Sequence, residues 1–575
     1  MGYVLLWFEN LAVALLLLAT VLACLGRWQW KRTRVALAVV FALVILVPYA
    51  GLAGLVGYLK FALGLTSFWF YPLLALTASF FVGAGWILIA GLRRGEAGLS
   101  GPQSAAWPRG RLAIALGVVL ALHLMTVWNL DLAMRQRLGT LRAEAGALAL
   151  SVAPARPPDR DNAALLYQQA FQAMGDPAAW PKAYGEKWYK WLDPAATESD
   201  FKDAELRAFL KRQAPALALL HEAADKPGCY FERDYGRPSF SMLLPELQKI
   251  REAARLLAFD ARAKAATGEV RAALGDCRVM LAMAEHASSD PNLIALLVAA
   301  AIDRMTMQTL EAVLASTPPA ADDLKAVFLD GNFSYHLAFR RALRMEEAFG
   351  LAAFYDLTVE KIPFSELGLA PPEQSSSSPA ILGCAPLYRW FWLATDQELY
   401  RRQMKQWQQW ASRPYWESKA YWDEWDALAK LLDDRLNCES KADWDRCEGS
   451  IRDGAGVLTR QLLGAPCRGA ETTAQADARR DLMRLGLATY RFQASHGRLP
   501  AKPDELVPEF IPAVPQDPFD GKPLRMKKTA RGLVLYSIGP DMTDNGGAPF
   551  DPATRTGDIT FTVVEKAAQT RGARD

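Results

Sequence analysis

The sequence predicts a mainly α-helical protein in three parts: a four-helix transmembrane bundle, an extracytoplasmic array of α-helical hairpins, and a small C-terminal α+β domain. Three observations carry this reading. The first 131 residues hold four long uncharged apolar runs. The middle of the chain keeps a 3.6-residue apolar period, helix after helix. Near Ala474 that pattern yields to turn-rich sequence ending in an alternating run, Ile559 to Val564. At 575 residues the chain is too long for one core.

The apolar runs are Gly2 to Leu25, Val35 to Leu59, a stretch within Phe61 to Leu92, and Leu112 to Leu130. Each is long enough to cross a bilayer, which takes about 20 helical residues. No basic residue precedes the first run, so a cleaved signal peptide is not expected. The first and third loops are basic, with Arg27, Lys31, Arg32 and Arg34 in one and Arg93, Arg94, Arg109 and Arg111 in the other. The second loop carries only Lys60. Basic loops stay in the cytoplasm, which puts the chain after Leu130 outside the inner membrane of a bacterium. A lone histidine, His123, lies deep in the fourth run and reads as a neutral, hydrogen-bonded group.

Charge and cysteine usage narrow the function classes. The 65 basic residues nearly balance 62 acidic ones, so nothing points to nucleic acid. Cys24 falls in the first apolar run, and six further cysteines lie in the exported part. Six would allow three disulfides, with Cys438 and Cys447 the favoured pair because they are close in a polar stretch. No CxxC occurs and histidines are not nearby, so zinc is not expected.

Residues 132–370 form the expected helical domain. Asp161-Asn162 caps a helix after the proline-rich linker Val152 to Arg160. Gly268 ends one helix and Glu269 opens the next, in the manner of a tetratricopeptide-type hairpin. Asp290-Pro291 starts another helix. No 34-residue period recurs, so an irregular hairpin array is the expectation. Arrays of this kind bind peptides or proteins on a concave face.

Residues 371–473 comprise a flexible break, Pro371 to Pro379, and a tryptophan-rich helical segment. The pairs Trp407/Trp410 and Trp422/Trp425 are three apart, so each pair shares a helix face. They read either as packing residues of a helical hairpin or as a surface that stacks sugar rings or lies among lipid headgroups. Catalytic motifs such as HExxH, GxSxG and GxxxxGK do not occur. His221-Glu222 and Glu285-His286 read as solvent-facing helical pairs.

Residues 474–575 form the last domain. A helix over Ala478 to Ser495 ends at His496-Gly497. The turn Asp517-Pro518-Phe519-Asp520-Gly521 enters a strand, and Leu533 to Ile538 is a second. A loop rich in glycine, acids and amides, Gly539 to Asp558, precedes the last strand. This order of pieces, with "HGRLP", "DPFDGKPL", "LYSIGPD" and "GDI", resembles the globular head of the major pseudopilin of type II secretion systems. The resemblance covers Ala474 to Val564 and implies a calcium-binding loop. It implies Asp541 and Asp558 as ligands, with main-chain oxygens near Ser537. Gly557 stands where the family has a further acid, and Asp544, Asn545 or Asp551 is then the source of the missing oxygen. Calcium takes six to eight oxygens in flexible geometry, which suits this composition. The loop is not an EF-hand, because the twelfth residue from Asp541 is Pro552. The polar residues Gly469 to Asp477 precede the helix, so the apolar fibre-forming helix of pseudopilins is not expected. Taken together, the sequence predicts a calcium-stabilised head on a membrane-anchored structural or protein-interaction protein with an envelope protein as partner. The alternative is an envelope glycan binder or glycan-active enzyme.

Overall fold

The helices begin and end on local chemistry that the sequence carries. The computed structural model describes residues 132–360, 393–436 and 466–565, apart from positions 134, 194–195, 243, 317–318, 326 and 328–332. The four apolar runs, the Pro371–Pro379 break, Cys384, Cys438 and Cys447 lie outside the described residues.

Helix α1 covers 135–152. The Asn162 side chain accepts a hydrogen bond from the Ala164 N–H (3.1 Å) and so caps α2, Ala163–Met174. Two short helices follow, α3 (Trp180–Tyr184) and α4 (Glu186–Leu192), and then α5 (Ala204–Ala224), capped by Asp203. The hairpin of α6 (Pro245–Ala266) and α7 (Val270–Ser288) turns as the sequence predicts. Gly268 takes φ +86°, its N–H donates to the Ala265 carbonyl, and the Glu269 N–H donates to Lys264 (2.9 Å). Those two bonds satisfy carbonyls that the end of α6 would otherwise leave orphaned.

Asn292 caps α8, Leu293–Ser316, by accepting from the Ile294 N–H (2.8 Å). Among the described residues α8 is the one helix long and apolar enough to cross a membrane. Here it is the central helix of the array, packed against α6, α7 and later elements. A short α9 (Ala321–Lys325) leads to α10, Tyr335–Tyr355, which passes into a π-helical turn, Asp356–Glu360. That turn delivers buried Asp356 to Arg142 of α1.

The tryptophan-rich segment forms a hairpin of α11 (Leu393–Trp410) and α12 (Tyr415–Leu436). Its indoles face one another. Trp407 meets Trp425 edge-on at 5.4 Å between ring centroids, and Trp410 meets Trp422 at 5.1 Å. Trp407 and Trp422 are buried. The arrangement is the packed hairpin, with the two faces turned inward where a sugar-stacking surface needs them outward.

The last helix, α13, runs Pro466–His496. It starts twelve residues earlier than the sequence predicts, so the boundary expected at 473/474 falls inside one continuous helix. Ala470, Thr473, Ala474 and Ala476 are buried in it. Three antiparallel strands then form a meander in the order β1-β2-β3: Arg525–Thr529, Gly532–Ser537 and Ile559–Val564. Leu533, Leu535, Phe561 and Val563 point from the sheet into the core. Gly486 lets the sheet approach α13 closely, because a Cβ there would stand 2.2 Å from the Phe561 ring. The outer edge of β3 is covered too: the Thr562 N–H donates to Glu311 of α8 (2.7 Å), and the Val564 N–H to the Tyr490 hydroxyl (3.1 Å).

Two expectations are corrected. Cys229 and Cys277 are free, buried thiols, so the six cysteines that follow Leu130 do not form three disulfides. The histidine pairs do not simply face solvent. His221 Nε2 lies 2.7 Å from buried Asp276, and His286 sits between the Tyr167 hydroxyl (2.8 Å) and the Lys226 carbonyl (3.1 Å). Glu285 reaches Arg480 (2.6 Å).

Arg480 is the centre of a buried network. Its guanidinium grips the Asp303 carboxylate of α8 with two nitrogens and donates to the Leu281 carbonyl of α7 (3.1 Å). The Tyr335 hydroxyl of α10 donates to the same Asp303 carboxylate (2.8 Å). Burial pulls the Arg480 pKa down, but Asp303 and its neighbours more than reverse this and hold it charged. Removing one partner leaves a buried charge alone, which costs about 3–5 kcal/mol, whereas an apolar pair of similar volume is often tolerated. Arg480→Met should therefore lower unfolding free energy by about 3 kcal/mol or more. Arg480→Met with Asp303→Leu should recover most of that loss in chemical denaturation.

Candidate functional site

The head, the tryptophan hairpin and the array meet around one cleft of about 380 Å³. Four elements build it. The start of α10 supplies Ser334, His336 and Phe339; the α11–α12 turn supplies Arg413, Trp416 and Trp422. One face of α13 supplies Asp477, Asp481 and Arg484, and the Asp517 turn closes the end with Gln516 and Pro518. The turn is itself seated on the hairpin, since Tyr415 meets Phe519 edge-on at 5.4 Å and Trp416 covers Gly521.

Most charges in the cleft have a local task. Asp477 accepts from the Tyr335 N–H (2.8 Å) and the His336 N–H (3.0 Å), so it caps α10 from another helix. Burial, with Asp481 nearby, pushes its carboxyl up to about 7. Glu346 does the same for α8 by accepting from Leu293, and burial also brings it to about 7. Burial raises Asp481, while Arg484 beside it (2.9 Å) opposes the shift. His336 is lowered, first by burial and then by Arg340.

The glycine- and acid-rich loop is a separate feature, closed by its own hydrogen bonds. Asp541 accepts from the Gly557 N–H (2.8 Å), the Thr543 N–H (2.9 Å) and the Asn545 side chain (3.0 Å). Asp558 accepts from the Asn545 N–H (3.2 Å) and the Gly547 N–H (2.6 Å). Asn545 thus brings Asp541 and Asp558 together. Asp544 pairs with Arg525 (3.1 Å), Asp551 caps its own turn at Ala553, and the Ser537 hydroxyl donates to Asp517 (2.8 Å). Burial raises the Asp558 pKa, and repulsion from Asp544 and Asp541 adds to it. Among the described residues no group of three or more His, Cys, Asp and Glu side chains is placed to hold a metal ion.

Several residues that matter here escape a motif-based reading. Asp517, fully buried, also receives the Ile538 N–H (2.9 Å) and Arg525 (3.2 Å), and so pins the turn to β2. Its signal was the DP turn, read only as a turn. Asp303 carried a clearer signal, since it is a charge in an apolar helical stripe with Leu296, Ala299 and Leu310 beside it, whereas Arg480 is one of several charges between Asp477 and Arg484.

No protein-family model, curated protein or solved structure matches the chain.

The Asp477 cap has a pH signature. An acid with a folded-state pKa above its unfolded value of about 4 binds its proton more tightly when folded. Its contribution to stability is therefore greatest below about 4 and is lost as pH rises through about 7. The melting temperature of the wild type, measured relative to Asp477→Asn, should fall between pH of about 4.5 and about 8. A difference that stays flat would show that burial does not perturb this carboxyl.

Proposed function

We propose that the chain is a multi-pass inner-membrane protein of a bacterial envelope whose large extracytoplasmic part is a protein-interaction module. The observation that carries this is the four-walled cleft, open to solvent and walled by aromatic side chains. Its size lies in the range of ligand pockets, about 300–1,000 Å³. The acids and arginine of its α13 wall support the same reading, because Asp477, Asp481 and Arg480 each hold a structural partner. A reaction centre needs groups free to exchange protons with a substrate. The test is a photo-crosslinking amino acid at position 416 of the full-length protein in its own membrane. A discrete protein adduct is expected. Adducts to glycan alone, or none, would overturn the reading.

We further propose that the Asp541–Asp558 loop is a structural calcium clip. Its donors are all hard oxygens, which suits calcium. The repulsion that raises Asp558 is what a bound cation would relieve. When bound, the ion would tie the loop after β2 to the start of β3, with Asp541, Asp558 and Asn545 as its side-chain contacts. Calcium should raise the melting temperature of the full-length protein in detergent, chelation should lower it, and Asp558→Asn should abolish the shift. No response of the wild type to calcium would remove the ion from this account.

A further inference from the structure

Among the described residues, one charged side chain lining the cleft has no opposite charge paired with it. On its α13 wall Asp481 is paired with Arg484, and Asp477 is engaged by two backbone amides of α10. Arg480 is neutralised by Asp303 and Glu285. On the facing wall Arg413 is exposed at the α11–α12 turn. Its contacts are the Tyr421 hydroxyl at 3.5 Å and the Tyr421 ring. Among the described residues no carboxylate pairs with it. It stands just before α12, a helix of 22 residues whose first turn places Tyr415, Trp416 and Ser418 on the same cleft and leaves the acid Glu417 exposed outside its lining. The positive end of that helix adds to the Arg413 field.

The lining mixes these charged side chains with aromatic ones, among them Phe339, Trp416 and Trp422. An apolar group entering there is removed from water, and a carboxylate beside it meets the guanidinium fork in good geometry. A basic group in the same place would be repelled by the Arg413 guanidinium.

We propose that the cleft binds an extended peptide segment that places an aromatic side chain between Trp416 and Phe339 and an adjacent carboxylate against Arg413. This rests on the protein-interaction reading and gives it a ligand class. The occupant is a partner protein's acidic-aromatic segment.

The test uses full-length protein in detergent and three fluorescein-labelled peptides, Gly-Ser-Phe-Glu-Ser-Gly and its versions with Gln or Lys in place of Glu. Fluorescence anisotropy should show the Glu peptide binding about three- to tenfold more tightly than the Gln peptide, and the Lys peptide weakest. Arg413→Gln should erase the Glu preference, and Arg413→Lys should keep part of it. Arg413 is exposed, so both variants should melt with the wild type, which separates recognition from folding. Equal binding of Glu and Gln peptides, no binding of any, or an unchanged preference in Arg413→Gln would overturn the proposal. If the position-416 crosslink to a protein persists in that case, the interaction reading stands and only its ligand class fails.

Discussion

The buried pair of Arg480 and Asp303 is the constraint on which the arrangement of the other parts depends. One guanidinium touches α7 and α8 directly and, through the shared Asp303 carboxylate, Tyr335 of α10. A buried ion pair adds little stability beyond what apolar side chains would give, but separating its partners strands a buried charge at a cost of about 3–5 kcal/mol. Apolar surfaces slide past one another at small cost, whereas a fork on a carboxylate in a dry interior has one register. The position of α13 along the array follows from that register. So does the position of everything α13 carries, namely one wall of the cleft and the sheet of the head.

The same logic recurs at helix starts. The amides at the start of a helix have no partner within it and attract negative charge. In α8 and α10 the acid comes from a different helix, Glu346 in one case and Asp477 in the other. Each cap is therefore a tertiary link as well as a local one. Glu311 extends the pattern to the sheet, where it covers an amide on the edge of β3. The head is thus joined to the array by directional bonds and close packing. A bead on a flexible linker would show neither.

The loop between β2 and β3 shows how one composition serves two ends. Asp541 and Asp558 accept backbone amides and hold the loop shut. These are the same oxygens that a hard cation would draw on. The cleft differs in kind. Its walls come from segments far apart in the chain, and its mixed aromatic and charged lining exists only where those segments meet. The loop is closed by local hydrogen bonds, and the cleft is a place where the assembled parts meet.

Sequence alone determined the elements whose causes are local. Gly268 and Glu269 set the hairpin turn, Asn162 capped its helix, and alternation marked Ile559 to Val564 as a strand. The acid loop was legible for the same reason, since its donors and acceptors lie within a short run of chain. Tertiary structure alone decided the rest. Gly469 to Asp477 read as polar residues ahead of the helix, yet they belong to it, because Ala470, Thr473, Ala474 and Ala476 find a buried face that no window of sequence displays. The tryptophans had two readings until a second helix supplied partners for the first. His221 and Glu285 looked solvent-facing until Asp276 and Arg480 came to meet them, from 55 and 195 positions away. Periodicity says which face of a helix is apolar. It does not say what that face, or the stray charge within it, will touch, because that depends on contacts between residues distant in the chain.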